Sequence, residues 1–247
     1  MNSIINKAKV SGLLDVVTEW IKTEKYISTS KIQRELSVGY ETASSIVEYL
    51  IEHDLIDKNQ IEGKGYKVKV FNIGIKIYLL DHNPEMVKEW SKAFENDKEI
   101  TVVEDEFKHF MDTQDIECVV GPANAWGIMS GGYDLAITNY YGDALQKTVQ
   151  RYIRHHLYGE QPIGTSIIVD IPNTKQKLIQ TPTMQISKPI KDKFIIYQCM
   201  RTTLMTALEN KIKTIVIPAF GGDCGKVHPK VVATKMKEAY DQIVSRR

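Results

Sequence analysis

The chain has 247 residues, 43% hydrophobic and 26% charged, and its 32 Lys and Arg are balanced by 31 Asp and Glu for a net charge of +1. This is ordinary globular composition, enough for one large domain or a large and a small one, and it excludes a protein drawn to nucleic acid or an anionic membrane by bulk charge. No run reaches the roughly 18 uninterrupted apolar residues of a spanning helix, and the widely separated Cys118, Cys199 and Cys224 offer neither a disulfide framework nor a zinc pattern.

Met1–Val17 lacks an apolar core with a small-residue cleavage site, so a cytoplasmic location and no membrane partner are expected. Leu13, Leu14, Val17, Trp20 and Ile21 recur at helical spacing and predict a helix from Val10 to Glu24. Ser28-Thr29-Ser30 supplies N-cap oxygens for a second helix through Leu36. Val38-Gly39 reads as a tight break, because glycine tolerates positive φ. A third helix places Ala43, Ile46, Val47, Leu50 and Ile51 on its buried face, which completes a helix-turn-helix pattern. Asp57–Val70, with Gly63 and Gly65 between strand-like residues, reads as a β-wing.

The rhythm then changes. Strands are expected at Ile75–Leu80, Ile100–Val103, Ile116–Val120, Ser166–Ile171, Leu178–Gln180 and Thr214–Ile217. Helices are expected at Glu85–Phe94, Asp134–Leu157, Ile195–Glu209 and Pro229–Val244. Doubly buried strands alternating with helices indicate a layered α/β domain with a mostly parallel sheet. The expected division is 1–72 for the winged helix-turn-helix and 73–247 for the α/β domain.

Three segments place glycines or small residues at strand ends. Cys118–Asn124 is a buried strand running into a small-residue turn that ends in an amide. Ser130-Gly131-Gly132-Tyr133-Asp134 opens a helix. Ile215–Lys226 runs from a strand through Pro218, Ala219 and Phe220 into Gly221-Gly222-Asp223-Cys224-Gly225. Glycines at such points let backbone N–H groups approach a phosphate, with a helix N-terminus adding its dipole. Two such loops suit a diphosphate, and carboxyl ends of strands are where open α/β sheets bind ligands.

At these residues the chain resembles the macro domain family. Val120-x-x-x-Asn124 followed by Gly131-Gly132-Tyr133-Asp134-Leu135-Ala136-Ile137 is similar to V-N-A-A-N and G-G-V-D-x-A-I. Glu104-Asp105-Glu106 is similar to the family's G-D-I, and Ile217–Gly225 to its second glycine loop. The resemblance covers roughly residues 75–245. Gly121 and Pro122 depart from V-N-A-A-N, Glu104 replaces a glycine, and Asp223 places a carboxylate in a phosphate loop, where it must point away or pair with Lys226.

The resemblance implies a three-layer α/β/α domain with a mostly parallel mixed sheet that takes ADP-ribose or an ADP-ribosylated substrate, without a metal or cofactor. Asp105, with Glu106 beside it, would accept from the adenine amino group. Ala123, Gly131, Gly132, Tyr133, Pro218, Phe220, Gly221, Gly222, Asp223, Cys224 and Gly225 would line the phosphates and distal ribose, and Asn124 would touch that ribose. In the hydrolytic branch, Asn124 and Asp134 would act at the scissile bond, Asp134 orienting or activating a water. Plainer roles compete at these positions: Asp134 as a helix cap, Asn124 as a turn-former, Phe220 as a loop anchor, and Cys224 as a small loop residue rather than a nucleophile.

Ser30–Tyr40, continuing through Ala43–Glu48, resembles the winged-helix gamma domain of FtsK-type DNA translocases. That likeness implies a double-stranded DNA surface from Arg34, Tyr40, Thr42 and Ser45, with Lys64 and Lys67 on the wing. Glu41, Thr42 and Ser45 stand where the family carries DNA-facing Asn and Arg, and the anion at Glu41 favours a protein partner. Two functions are therefore expected as alternatives. One is hydrolysis of an ADP-ribosyl linkage. The other is non-catalytic sensing of ADP-ribose or an NAD metabolite, coupled to DNA binding or to docking in a phage or defence setting.

Overall fold

The structure is a computed structural model, and it describes residues 13–14, 16–18, 20–21, 24–69 and 73–245. The chain divides into two compact units, residues 1–72 and residues 73–246.

In the first unit, the described residues between 13 and 21 are helical, and Val17 and Ile21 are fully buried. The rest of the helix expected from Val10, and Val70 at the end of the wing, lie outside the described residues. Helix α1 (Thr29–Leu36) begins at Ser28, whose side chain accepts from the Lys31 N–H. Helix α2 (Tyr40–Glu52) follows. The break between them does not use glycine freedom. Gly39 is extended at φ −72°, while Ser37 takes the left-handed conformation at φ 51°, so the reversal falls two residues earlier than expected. Strand β1 (Tyr26–Ile27) pairs antiparallel with β3 (Gly65–Val68), which pairs with β2 (Ile56–Ile61). At Gly65, φ is +89° and an added Cβ would lie 2.2 Å from the Ile27 carbonyl oxygen. Only glycine lets strands β1 and β3 close there.

The second unit is built on a six-stranded sheet of order β5-β4-β9-β6-β8-β7. Its strands are β4 (Lys76–Asp81), β5 (Ile100–Glu104), β6 (Cys118–Gly121), β7 (Ile167–Asp170), β8 (Lys177–Gln180) and β9 (Thr214–Ile217). All neighbours are parallel except β7, which runs antiparallel to β8. Successive strand side chains point to opposite faces. Tyr78, Leu80, Val119, Leu178 and Val216 therefore share one core with Phe110, Ile137, Val149 and Ile153. Those partners come from α4 (Phe107–Thr113), α5 (Gly132–Tyr141) and α6 (Ala144–His156). The alternate residues Ile77, Leu79, Cys118, Ile179, Ile215 and Ile217 are fully buried on the other face. There α3 (Pro84–Ala93), α7 (Phe194–Glu209) and α8 (Pro229–Ser245) pack, α8 touching both α3 and α7. The result is a three-layer α/β/α unit.

The long helix expected over Asp134–Leu157 is in fact two. Gly142 at φ +88° ends α5 and α6 starts at Ala144, because a positive-φ residue cannot continue a right-handed helix. Helix α4 was not anticipated; its seven residues are too few to display a period.

Candidate functional site

Four parallel strands end along one edge of the sheet, and their ends open a cleft of about 680 Å³ within the second unit. Strand β4 delivers Asp81, β5 delivers Asp105 and Glu106, β6 leads to Pro122, Ala123 and Asn124, and β9 leads to Pro218 and Ala219. Asp134, Gly131, Gly132 and Tyr133 border the same cleft, as do Gly221, Gly222, Asp223, Cys224 and Gly225. The structure thus gathers every residue expected at the ligand except Phe220.

Phe220 is fully buried and does not border the cleft. Its burial at the head of the glycine loop suits an anchor and not a ligand wall. Gly221 takes φ +76°, with Ile190 Cδ1 2.7 Å from where its Cβ would be, and a Cβ on Gly225 would sit 2.5 Å from the Gly221 carbonyl oxygen. The glycines are required by this close packing. The loop closes on itself through Lys226 N–H to Asp223 O (3.0 Å) and Val227 N–H to Gly221 O (3.1 Å).

The first glycine loop ends at an open helix terminus. Gly131 is the N-cap of α5 and supplies no side-chain cap. Leu135 N–H returns to Gly131 O at 3.2 Å, whereas the N–H groups of Gly132, Tyr133 and Asp134 find no acceptor among the described residues. Uncapped N–H groups at a helix start make an anion-binding terminus.

Asn124 is committed locally. Its Nδ2 donates to Ile128 O at 2.8 Å, and its Oδ1 accepts from Trp126 N–H at 3.0 Å and Ile128 N–H at 3.2 Å. The amide holds the 124–128 turn, while backbone bonds such as Ala125 N–H to Met184 O (3.1 Å) tie that turn to the segment after β8. Trp126, Ile128 and Ile186 are large apolar side chains left exposed on the cleft wall.

Asp134 is 8% exposed, and its Oδ1 is buried without a hydrogen-bond partner. That oxygen lies 2.8 Å from where a Cβ on Gly121 would be. Burial pushes its carboxyl up to about 8, so near neutral pH it holds its proton. It does not cap α5, and activation of a water as a base is open to it only in the alkaline range. Tyr133 is likewise pushed far upward by burial, its hydroxyl buried without a partner and its ring edge-on to Phe107 at 5.3 Å.

Asp105 keeps its charge. His109, one turn along, places Nδ1 2.6 Å from Asp105 Oδ2, and Glu106 N–H donates to Oδ1 at 2.8 Å. The His109 bond is the main reason the Asp105 carboxyl falls below its usual range. His109 escaped the sequence reading, although an Asp-x-x-x-His spacing at a helix start puts both groups on one face. Asp81, His82 and Asn83 were missed as well. Asp81 is the terminal residue of a parallel strand, the position at which such sheets place ligand groups. Its carboxyl is raised by burial while Asn83 N–H donates to it at 2.9 Å.

In the first unit, Arg34 and Glu41 are exposed, Tyr40 is 68% exposed and Ser45 is half-buried. Thr42 is only 8% exposed, so it sits with the core residues of α2 and is withdrawn from a DNA-facing surface. Lys64 lies over the Tyr26 ring at 5.5 Å, and Lys69 pairs with Asp54. No helix among the described residues is long and apolar enough to cross a membrane.

Two family models match parts of this chain. Residues 120–236 match the macro domain and residues 9–64 match the Ftsk gamma domain. An uncharacterized protein of Aquifex aeolicus (strain VF5) is 26% identical over 125 residues, covering 50% of this chain and 72% of that protein. Among solved structures, a mutant Oceanobacillus iheyensis macrodomain with ADPR aligns at TM-score 0.49 and 21% identity, over 56% of this chain and 75% of that one. Thermosipho africanus DarTG in complex with ADP-ribose aligns at TM-score 0.43 and 18% identity, over 67% and 50% respectively. The chain thus carries an N-terminal stretch that matches the Ftsk gamma domain and, after it, a longer stretch that matches the macro domain.

Proposed function

We propose that the macro domain binds the ADP-ribose moiety in the cleft above its sheet. The observation that carries this reading is the convergence of two glycine loops on one cleft, one of them ending at an uncapped helix terminus with three N–H groups lacking acceptors among the described residues. A diphosphate supplies the acceptors that those donors lack. The charged Asp105 at the end of β5 suits an amino-group donor such as adenine, and the exposed Trp126, Ile128 and Ile186 offer apolar wall to ribose and base. The winged helix serves as the docking module, for duplex DNA or for a protein partner.

Calorimetric titration of ADP-ribose into the full chain, with AMP as comparator, tests this. ADP-ribose should bind at least about tenfold more tightly than AMP, a difference of about 1.4 kcal/mol for the second phosphate and distal ribose. Equal affinities would remove the two-loop diphosphate site.

One observation favours turnover in addition. A carboxyl buried beside the end of β6 and pushed up to about 8 is a proton donor at neutral pH. In hydrolysis, water adds to the anomeric carbon as the ribosyl–acceptor bond breaks, Asp134 protonates the departing group, and the proton lost by the added water returns to the Asp134 carboxylate. Asp134→Ala should abolish release of ADP-ribose from a modified substrate yet leave ADP-ribose binding largely intact. Equal loss of both would make Asp134 purely structural.

A further inference from the structure

The second glycine loop carries a carboxylate that neither turns away nor pairs with Lys226. Asp223 is exposed and forms no ion pair or side-chain hydrogen bond among the described residues. Its Oδ2 lies 2.6 Å from the position a Cβ would take on Gly132, the first residue of α5. The side chain therefore reaches from the second loop across to the first, and only the absence of a side chain at Gly132 leaves room for it. There it lies beside the terminus where Gly132, Tyr133 and Asp134 hold N–H groups without acceptors among the described residues, and it accepts from none of them. A helix N-terminus attracts an anion, and Asp223 is the anion at hand.

The surroundings do nothing to neutralise it. Among the described residues no Lys or Arg borders the cleft, whereas Asp81, Asp105 and Glu106 do. Asp81 registers the neighbour, its carboxyl being raised first by burial and further by the Asp223 charge.

We propose that Asp223 determines the charge selectivity of the cleft: its carboxylate stands beside the Gly132 helix terminus, and a diphosphate bound at those N–H groups must push it aside or meet its like charge. The inference rests on the ADP-ribose reading and adds what limits that affinity. Ligands bearing a diphosphate meet like charge at a few ångströms, while the uncharged nucleoside end of the same ligand does not. Because Asp223 is exposed, solvent and salt screen the repulsion and hold it to a moderate factor.

The test titrates ADP-ribose and adenosine separately into the full chain and into Asp223→Asn and Asp223→Ala. Removing the charge should tighten ADP-ribose binding by about tenfold in both variants at low salt. The gain should shrink in high salt, and adenosine affinity should stay within about twofold. Unchanged ADP-ribose affinity in both variants would overturn the inference and leave the functional reading standing. Weaker binding would also overturn it, making Asp223 a ligand contact instead of a competitor. If neither the parent chain nor the variants bind ADP-ribose, the functional reading fails and takes this inference with it.

Discussion

Asp134 Oδ1 and Gly121 face one another at the end of β6, the oxygen 2.8 Å from where a Cβ on Gly121 would lie. The two positions share one small space: a carboxyl fills it from α5, so the strand residue has no side chain. Leu178 Cδ1 and Ile137 Cδ1, 3.6 and 3.8 Å from the same point, close the other sides. Gly121→Ala should therefore overpack this site and cost about 1–3 kcal/mol. Asp134→Ala in the same chain should recover most of that loss, giving a coupling of about 0.5–3 kcal/mol in a double-mutant cycle read by urea unfolding. Additive losses would show that the two residues do not compete for the space.

Stability should depend on pH through Asp134 in a direction opposite to that of most carboxylates. Its folded value of about 8 lies well above the ordinary 3.8. Between those limits the unfolded chain has released a proton that the folded chain retains, so stability falls as pH rises from about 4 to 8. Above that range both states are ionised and the penalty is constant. At about 1.36 kcal/mol per unit, even half the shift gives roughly 2–3 kcal/mol. Asp134→Asn should match the parent near pH 4 and melt higher at pH 8; identical melting profiles across the range would refute a buried, neutral carboxyl.

The elements easiest to read from the sequence were those whose burial imposes a pattern. The apolar runs Ile215–Ile217 and Cys118–Val120 form central strands covered on both faces, and such strands show as uninterrupted hydrophobic segments. The glycine loops were legible because positive φ and close approach at Gly221 and Gly225 leave few alternatives. What escaped depends on three-dimensional neighbours. Asp81 belongs to the cleft because β4 lies between β5 and β9, and strand order is not written in local sequence. Phe220 fits a ligand wall or a loop anchor equally well by type, and only its complete burial decides. The break at Gly142 was hidden because the apolar stripe resumes in α6, at Leu145, Val149 and Ile153, soon after it.

Asn124 should prove a loop organiser. Its three bonds to Trp126 and Ile128 fix the turn that forms one wall of the cleft. Asn124→Ala removes both the donor and the acceptor and should cost about 1–3 kcal/mol, with Trp126 fluorescence reporting the released turn. Asn124→Asp keeps an acceptor for the two N–H groups but loses the donor to Ile128 O, and should fall between. Loss of ADP-ribose affinity in step with the fluorescence change would make the effect one of positioning. Full affinity loss with an unchanged Trp126 signal would make Asn124 a direct ligand contact.

Any duplex DNA binding by the first unit should run through its wing, not through α2. Glu41 is exposed in the first turn of α2 and Thr42 is buried, so the helix that would enter a major groove offers an anion and a withdrawn hydroxyl. Lys64, held over the Tyr26 ring, and Lys67, paired in register with Tyr26 in the β1–β3 ribbon, present positive charge on the hairpin. Each phosphate contact contributes about 0.9 to the slope of log affinity against log salt. Lys64→Gln with Lys67→Gln should therefore reduce that slope by about 1.8, while Thr42→Ala should leave it unchanged. If the parent chain fails to shift duplex DNA even at low salt, the DNA role is removed. The exposed Tyr40 beside Glu41 then marks the surface on which a protein partner should be sought.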